Sequence, residues 1–312
     1  MKLLTFLFLA LLGCILTHSG LSLYYAGAGL ELWFQKMIPS LLPFMILSGV
    51  MVRMRLTDKA AMILYPIVRP ILKVRKNVCY AMLMGFLCGF PMGARVVDDL
   101  YMRQMITKRE AEYLLAFCNN IGPVYFCSFV LPLLGRKLVF PYLFGMYGIP
   151  LLYGLVLRYT VFCDLSVTRE LPSAVLVSCE ASPEQNFGER LLRECDDAIH
   201  ASLQNILSLG GYMILYNLLN LIPHILLGHP LTVLSPLLEI TGGLKMLGDT
   251  MPLYSLLALS FGGMSCIAQT YSCIGGSDLS VGKYVLHKCF LTLLNGFFYL
   301  CWFLWMPSSF LR

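Results

Sequence analysis

Two stretches of this chain place helix-breaking and polar residues inside runs that are otherwise apolar enough to sit in a membrane. Gly85-Phe-Leu-Cys-Gly-Phe-Pro-Met-Gly-Ala-Arg95 carries Gly89, Pro91 and Gly93 and ends on Arg95, and Ser260-Phe-Gly-Gly-Met-Ser-Cys-Ile-Ala-Gln269 carries Gly262 and Gly263 and ends on Gln269. Inside a bilayer an unpaired backbone N–H or C=O costs several kcal/mol, so non-helical chain survives there only where it lines a cavity or is wrapped in protein. Paired interruptions in two halves of a chain point to a transporter-type site near the midplane, where freed backbone groups hold a polar solute or ion. The chemistry on offer is hydrogen bonding and coordination at membrane depth.

Further polar groups sit in apolar surroundings. Asn119 and Asn120, followed by Gly122 and Pro123, bring two amides into a span, where amides either glue helices together or hydrogen-bond a polar solute. Glu239, just before Gly242 and Gly243, is the only carboxylate in the apolar stretch 231–247. At membrane depth it is a functional group by default; if the segment is interfacial, it is merely solvated. Pro39 and Pro43, four apart, either kink a span or free carbonyls toward a cavity. Arg95 and Gln269 end their hairpins and are candidates to meet across a pseudo-two-fold axis. His200, His224, His229 and His287 share no metal-ligand spacing.

These residues need a membrane scaffold, and composition supplies one. The 312 residues are 58% hydrophobic and 13% charged, with mean hydropathy +0.74, against about 25% charged in a soluble domain. The net charge of +6 does not imply nucleic acid, because Lys and Arg cluster beside apolar segments, where they set orientation. The partners expected are the lipid bilayer and an unidentified small polar solute, with a second copy or other membrane proteins as further candidates. Of the twelve cysteines, nine lie in or beside apolar segments and no CxxC occurs, so neither a disulfide framework nor a metal site is indicated. No cofactor is expected.

Lys2 and the run to Leu16, followed by Ala26-Gly-Ala28, can be read as a cleaved secretory signal or as an uncleaved first span, and the next apolar run follows so closely that the span is favoured. Spans are expected at about 3 to 26 and 32 to 52. The basic block from Arg53 to Lys76 has seven basic residues against Asp58 and is expected in the cytoplasm, with 60–72 lying along the interface. A re-entrant hairpin around Gly89, spans at about 111 to 134 and 138 to 159, and an acidic cytoplasmic linker follow. That linker, 161–197, holds Asp164, Glu170, Glu180, Glu184, Glu189, Glu194, Asp196 and Asp197 against Arg169, Arg190 and Arg193.

The pattern then repeats. Phe34-Gln-Lys-Met-Ile-Pro39 matches Leu203-Gln-Asn-Ile-Leu-Ser208, Pro43-Phe-Met-Ile-Leu47 matches Gly211-Tyr-Met-Ile-Leu215, and Phe90-Pro-Met-Gly93 pairs with Phe261-Gly-Gly-Met264. The first copy starts outside and the second in the cytoplasm, so the two run oppositely through the bilayer. The expected architecture is all-α: a polytopic membrane protein of two inverted repeats with re-entrant or broken helices. Its divisions are an N-terminal helix over 1–30, a first repeat over 31–160, the linker over 161–197 and a second repeat over 198–312.

Trp33 followed by Pro39-Ser-Leu-Leu-Pro-Phe44, Gly89-Phe-Pro-Met-Gly-Ala94, Phe117-Cys-Asn-Asn-Ile-Gly-Pro123, Leu238-Glu-Ile-Thr-Gly-Gly243 and Phe261-Gly-Gly-Met-Ser265 with Gln269 resemble, in order, the YlbJ-type sporulation integral membrane proteins. Those belong to the nucleoside-recognition or Gate-domain group, with the spore maturation proteins, the membrane part of ferrous-iron transporters and relatives of concentrative nucleoside transporters. The resemblance implies a multi-pass membrane protein needed for a proper spore. It does not imply nucleosides as cargo, since fold kinship does not settle function. One departure is Gly-Phe-Pro where the family commonly has Gly-Tyr-Pro, which removes a hydroxyl.

No phosphate loop, HExxH or GxSxG elbow occurs, so an enzyme is not expected. Three classes remain: a small-solute permease working by alternating access, a membrane scaffold that positions other sporulation proteins, and, last, an intramembrane enzyme. A polar cavity at the midplane favours the first and a filled apolar midplane the second.

Overall fold

The computed structural model describes residues 2–54, 56–62, 64–165 and 187–305. In chain order the helices are α1 (Lys2–Thr17), α2 (Ser19–Arg53), α3 (Thr57–Ala61), α4 (Tyr65–Leu72), α5 (Lys76–Cys88), α6 (Met92–Met102), α7 (Lys108–Phe117), α8 (Pro123–Leu134) and α9 (Arg136–Tyr159). After the linker come α10 (Phe187–Leu218), α11 (Leu221–Leu227), α12 (Ser235–Leu238), α13 (Ile240–Leu247), α14 (Pro252–Phe261), α15 (Gly263–Ile274) and α16 (Val281–Trp305). Among the described residues, five helical stretches are long and apolar enough to cross a membrane: α2, α9, α10 with α11, α14 with α15, and α16. The chain is an all-α polytopic membrane protein.

The helix α2 packs along α10 and the α11 that follows it. Tyr25 hydroxyl meets His224 Nδ1 at 2.8 Å, Trp33 Nε1 donates to Ile206 O at 2.8 Å, and Arg53 lies 3.5 Å from Asp197. Partner numbers fall as α2 numbers rise, so the two helices are antiparallel. Glycines allow the close approach: a Cβ at Gly29 would stand 2.9 Å from Met213 O, and one at Gly210 would stand 2.5 Å from the Trp33 ring. This pairing also corrects the expected first two spans. The chain breaks at His18, not after Ala26-Gly-Ala28, and runs as one helix through Trp33 to Arg53. Small residues do not end a helix when a neighbouring helix packs on them.

Within α2 the turn Trp33–Met37 is π-helical, and similar turns occupy Phe126–Val130 in α8 and Phe144–Gly148 in α9. Each stands two residues before a proline: Pro39, Pro132 and Pro150. Proline has no N–H, and its ring crowds the carbonyl four residues back. A wider turn relieves that crowding, so these prolines are absorbed without ending the helix. Pro39 and Pro43 are themselves exposed. Their rings face away from the interior, while Met37, Ser40 and Leu41 of the same stretch line the cavity described below.

Four interruptions organise the interior. In the first half α5 and α6 form a hairpin broken at 89–91, and the expected continuous span 111–134 is instead α7 and α8 separated by a non-helical stretch at 118–122. In the second half α12 folds back on α13 at Glu239, and α14 meets α15 at Gly262.

One end of the bundle gathers the charges. Arg53 pairs with Glu194 and Asp197, Arg75 with Glu110, Arg109 with Asp164, Lys108 with Asp278, and Lys283 with Glu112. Lys108 and then Tyr101 hold the Asp278 carboxyl below its usual range by hydrogen bonding, and Arg109 does the same to Asp164. The basic block and the acidic residues of the linker's two ends thus share one face. Glu189, Glu194, Asp196 and Asp197 belong to the opening turns of α10, so the division placed at 197 falls inside a helix. Arg169, Glu170, Cys179, Glu180 and Glu184 lie outside the described residues.

Candidate functional site

The first-half interruptions satisfy each other's backbone. Phe90 N donates to Asn120 O at 2.7 Å, Gly89 and Ile121 form an isolated antiparallel bridge, and Tyr147 hydroxyl donates to Ile121 O at 3.2 Å. This is how the chain meets the cost of leaving the helix: groups freed at one break are taken up by the other. The crossing is close. Gly89 has φ +74°, the Phe90–Pro91 peptide is cis, and a Cβ on Gly89 would stand 2.2 Å from Gly122 N.

The second-half hairpin is built around a carboxylate. Glu239 is extended and 2% exposed, and it caps α13: Thr241 N donates to Oε1 at 3.1 Å and Gly242 N to Oε2 at 2.6 Å. Asn217 of α10 donates to Oε2 as well, at 3.1 Å. A carboxylate is suited to this place, since the first N–H groups of a helix lack intrahelical partners and the helix terminus is electropositive. Gly242 and Gly243 are required by contact: a Cβ at the first would stand 2.0 Å from Asn217 Oδ1, and at the second 2.2 Å from Pro236 N.

The two halves meet at these interruptions. Tyr125 hydroxyl donates to Thr241 Oγ1 at 3.2 Å, and a Cβ on Gly262 would stand 3.6 Å from the Phe90 ring. Between them lies a cavity of about 30 Å³ lined by Cys88, Pro91, Gly122, Glu239, Cys266 and Gln269, and closed on the α2 and α10 side by Met37, Leu41 and Met213. That is room for a dehydrated ion or one or two water molecules. Along α2 the lining residue Leu41 lies roughly five residues from the exposed Lys36 and roughly twelve from Arg53, about 8 and 18 Å at 1.5 Å per residue, so the cavity lies within the span, nearer its Lys36 end.

Behind the cavity a second polar cluster ties the break at 118–122 to α15 and α16. Asn119 Nδ2 donates to Thr270 Oγ1 at 3.0 Å and to Tyr284 hydroxyl at 3.3 Å, while its Oδ1 accepts from Ala94 N at 3.3 Å. Asn120 Nδ2 donates to Phe117 O at 2.7 Å. Lys288 Nζ donates to Asn119 O and to Asn120 Oδ1, both at 3.2 Å.

The candidate residues therefore sort by place. Pro91, Gly122, Glu239 and Gln269 line the cavity, while Gly89, Gly242, Gly243, Gly262 and Gly263 shape the backbone around it. Gly93 lies against Gly85 Cα and the Asn119 side chain. Asn119 and Asn120 act behind the cavity, not in it. Arg95 and Gln269 do not meet: Arg95 pairs with Asp99 at 3.1 Å and lines a separate cavity with Arg53, Arg103 and Ser202. Its position within a turn of the hairpin's acidic residues lets it pair on its own helix. The sequence reading missed Asn217, Tyr125, Thr241 and Lys288. For Lys288 the signal was present, a charge in the apolar run of α16; for the others there was none.

A search of curated proteins finds the sporulation integral membrane protein YlbJ of Bacillus subtilis (strain 168), 25% identical across 96% of this chain and 81% of its own length. That match supports a YlbJ-type assignment. No family model matches the chain, and no solved structure does. At 96% of the chain the match extends over both halves.

Proposed function

We propose that this chain moves a small polar solute or ion across the membrane by alternating access, and that it does so in spore formation, as the name of its relative suggests. The observation that carries the reading is convergence: three separate interruptions, contributed by both halves, and the helix that follows the fourth line one cavity beside a buried carboxylate. Backbone departs from helix in a membrane where it serves a site. The antiparallel α2 and α10 pair supports an inverted repeat, and with it the kinship to the Gate-domain group. The size of the cavity favours an ion or a very small solute over a nucleoside. We read the chain as non-catalytic, since both oxygens of Glu239 are engaged by Asn217, Thr241 N and Gly242 N and the Cys266 thiol donates to Gly262 O.

A scaffold role draws less support. The charges on which it rested, the basic block and the linker acids, are in part spent on each other through Arg53, Glu194 and Asp197.

Gln269 gives the direct test. It is 5% exposed and lines the cavity, so Gln269→Leu keeps the bulk of the side chain and removes its amide. Expressed in a spore-forming host lacking its own copy, the variant should accumulate normally while heat-resistant spores fall at least about tenfold, the effect of losing one hydrogen bond worth about 1.4 kcal/mol. Full heat resistance at normal abundance removes the cavity from the function and returns the scaffold reading.

Orientation belongs to the same proposal. Cys163 is exposed beside Asp164 on the charged face, and Cys179 lies in the linker. In single-cysteine variants neither should react with an impermeant thiol reagent in intact cells, because that face carries the basic block and belongs in the cytoplasm. Labelling of either from outside reverses the topology.

A further inference from the structure

We propose that Lys288 is a tethered cation: its ammonium fills a monovalent-cation site formed by the oxygens of the broken segment 118–122, and its gain or loss of a proton does what binding and release of a metal ion would do. Lys288 is 3% exposed, and its Nζ donates to a backbone carbonyl, Asn119 O, and to an amide oxygen, Asn120 Oδ1. Neutral carbonyl and amide oxygens at an unwound helix are the ligands with which transporters hold Na⁺. Among the described residues no carboxylate pairs with this ammonium, so it is not half of a buried ion pair.

The surroundings agree. The buried face of α16 reads Tyr284, Lys288, Leu291, Asn295 and Tyr299, four polar residues of five on a membrane-spanning helix. Of the titratable groups on packed elements, Cys266 of α15 is within electrostatic reach of both Lys288 and Glu239. Tyr284 is engaged with Asn119, Glu112 of α7 is held by Lys283, Tyr153 of α9 by His287, and Tyr254 of α14 donates to Val233 O. The ammonium is thus the local positive charge that holds the break, and losing its proton to water leaves a neutral amine with at most two hydrogens to share.

The site can be tested apart from transport. In purified full-length protein, the unfolding midpoint of the wild type should be the same in NaCl, LiCl and choline chloride. Lys288→Ala should unfold earlier in choline and regain roughly 5 °C with saturating Na⁺ or Li⁺, as expected when an ion binds the folded state alone. Lys288→Met, which fills the space without charge, should be destabilised and indifferent to salt. A wild type stabilised by Na⁺, or a folded Lys288→Ala that ignores every cation, overturns the proposal. If Lys288→Ala does not fold, hydrogen exchange in the wild type decides. Raising the pH in choline buffer should loosen 118–122 beyond the intrinsic rate increase, and NaCl should restore protection; exchange that is the same in both salts overturns it.

Discussion

Gly89→Ala is expected to cost at least about 3 kcal/mol and to leave little protein in the membrane, whereas Gly135→Ala should cost about 1 kcal/mol. Both glycines have positive φ, +74° and +79°, so both alanines carry the same backbone strain. They differ in what the new methyl meets. Nothing lies within 4 Å of a Cβ at Gly135, but at Gly89 the Cβ would stand 2.2 Å from Gly122 N and 2.7 Å from Asn120 O. Those atoms are backbone and cannot rotate away. The two breaks must separate, and the hydrogen bond from Phe90 N to Asn120 O is lost in an environment with no replacement partner. Unfolding midpoints in detergent and membrane abundance measure the difference. Equal behaviour of the two variants means that the crossing of 89–91 and 118–122 is looser than described.

The second large effect concerns Glu239 and its amide partner. Glu239→Gln is expected to destabilise the protein by about 1–3 kcal/mol, because both carboxylate oxygens accept from buried donors and a Gln amide nitrogen would face one of them. Asn217→Asp alone sets two carboxylates together and should be at least as damaging. In the double variant Glu239→Gln with Asn217→Asp, a hydrogen bond re-forms with donor and acceptor exchanged, and about 1 kcal/mol should return as coupling between the sites. Abundance then recovers while heat-resistant spore formation does not, if the negative charge must lie at 239 to face the cavity. Recovery of both assigns Glu239 to holding α10 against α13. No coupling at all removes the pair.

The local rules were legible along the chain. A glycine-proline-glycine run amid apolar residues cannot continue a helix, so Gly89, Pro91 and Gly93 announced a break whatever packed around them, and Gly262 and Gly263 did the same. Glu239 was conspicuous because a carboxylate rarely enters an apolar stretch without a role. The membrane class followed from composition alone. Where reasoning from sequence went astray, the neighbours decided. The first span was expected to end near Ala26-Gly-Ala28, but the helix continues there because α10 packs along α2, and the π-helical turn at Trp33–Met37 lets it pass Pro39 as well.

Periodicity and composition thus determined that the chain is helical, lies in a membrane and is interrupted near the residues that now surround the cavity. Which interruption meets which was left to tertiary structure. Hydrogen bonds from Phe90 to Asn120, from Tyr125 to Thr241, from Asn217 to Glu239 and from Lys288 to the broken segment join residues at least about 20 apart in sequence. Helical periodicity relates a residue to partners three or four positions away, and it carries no information about such distant pairings.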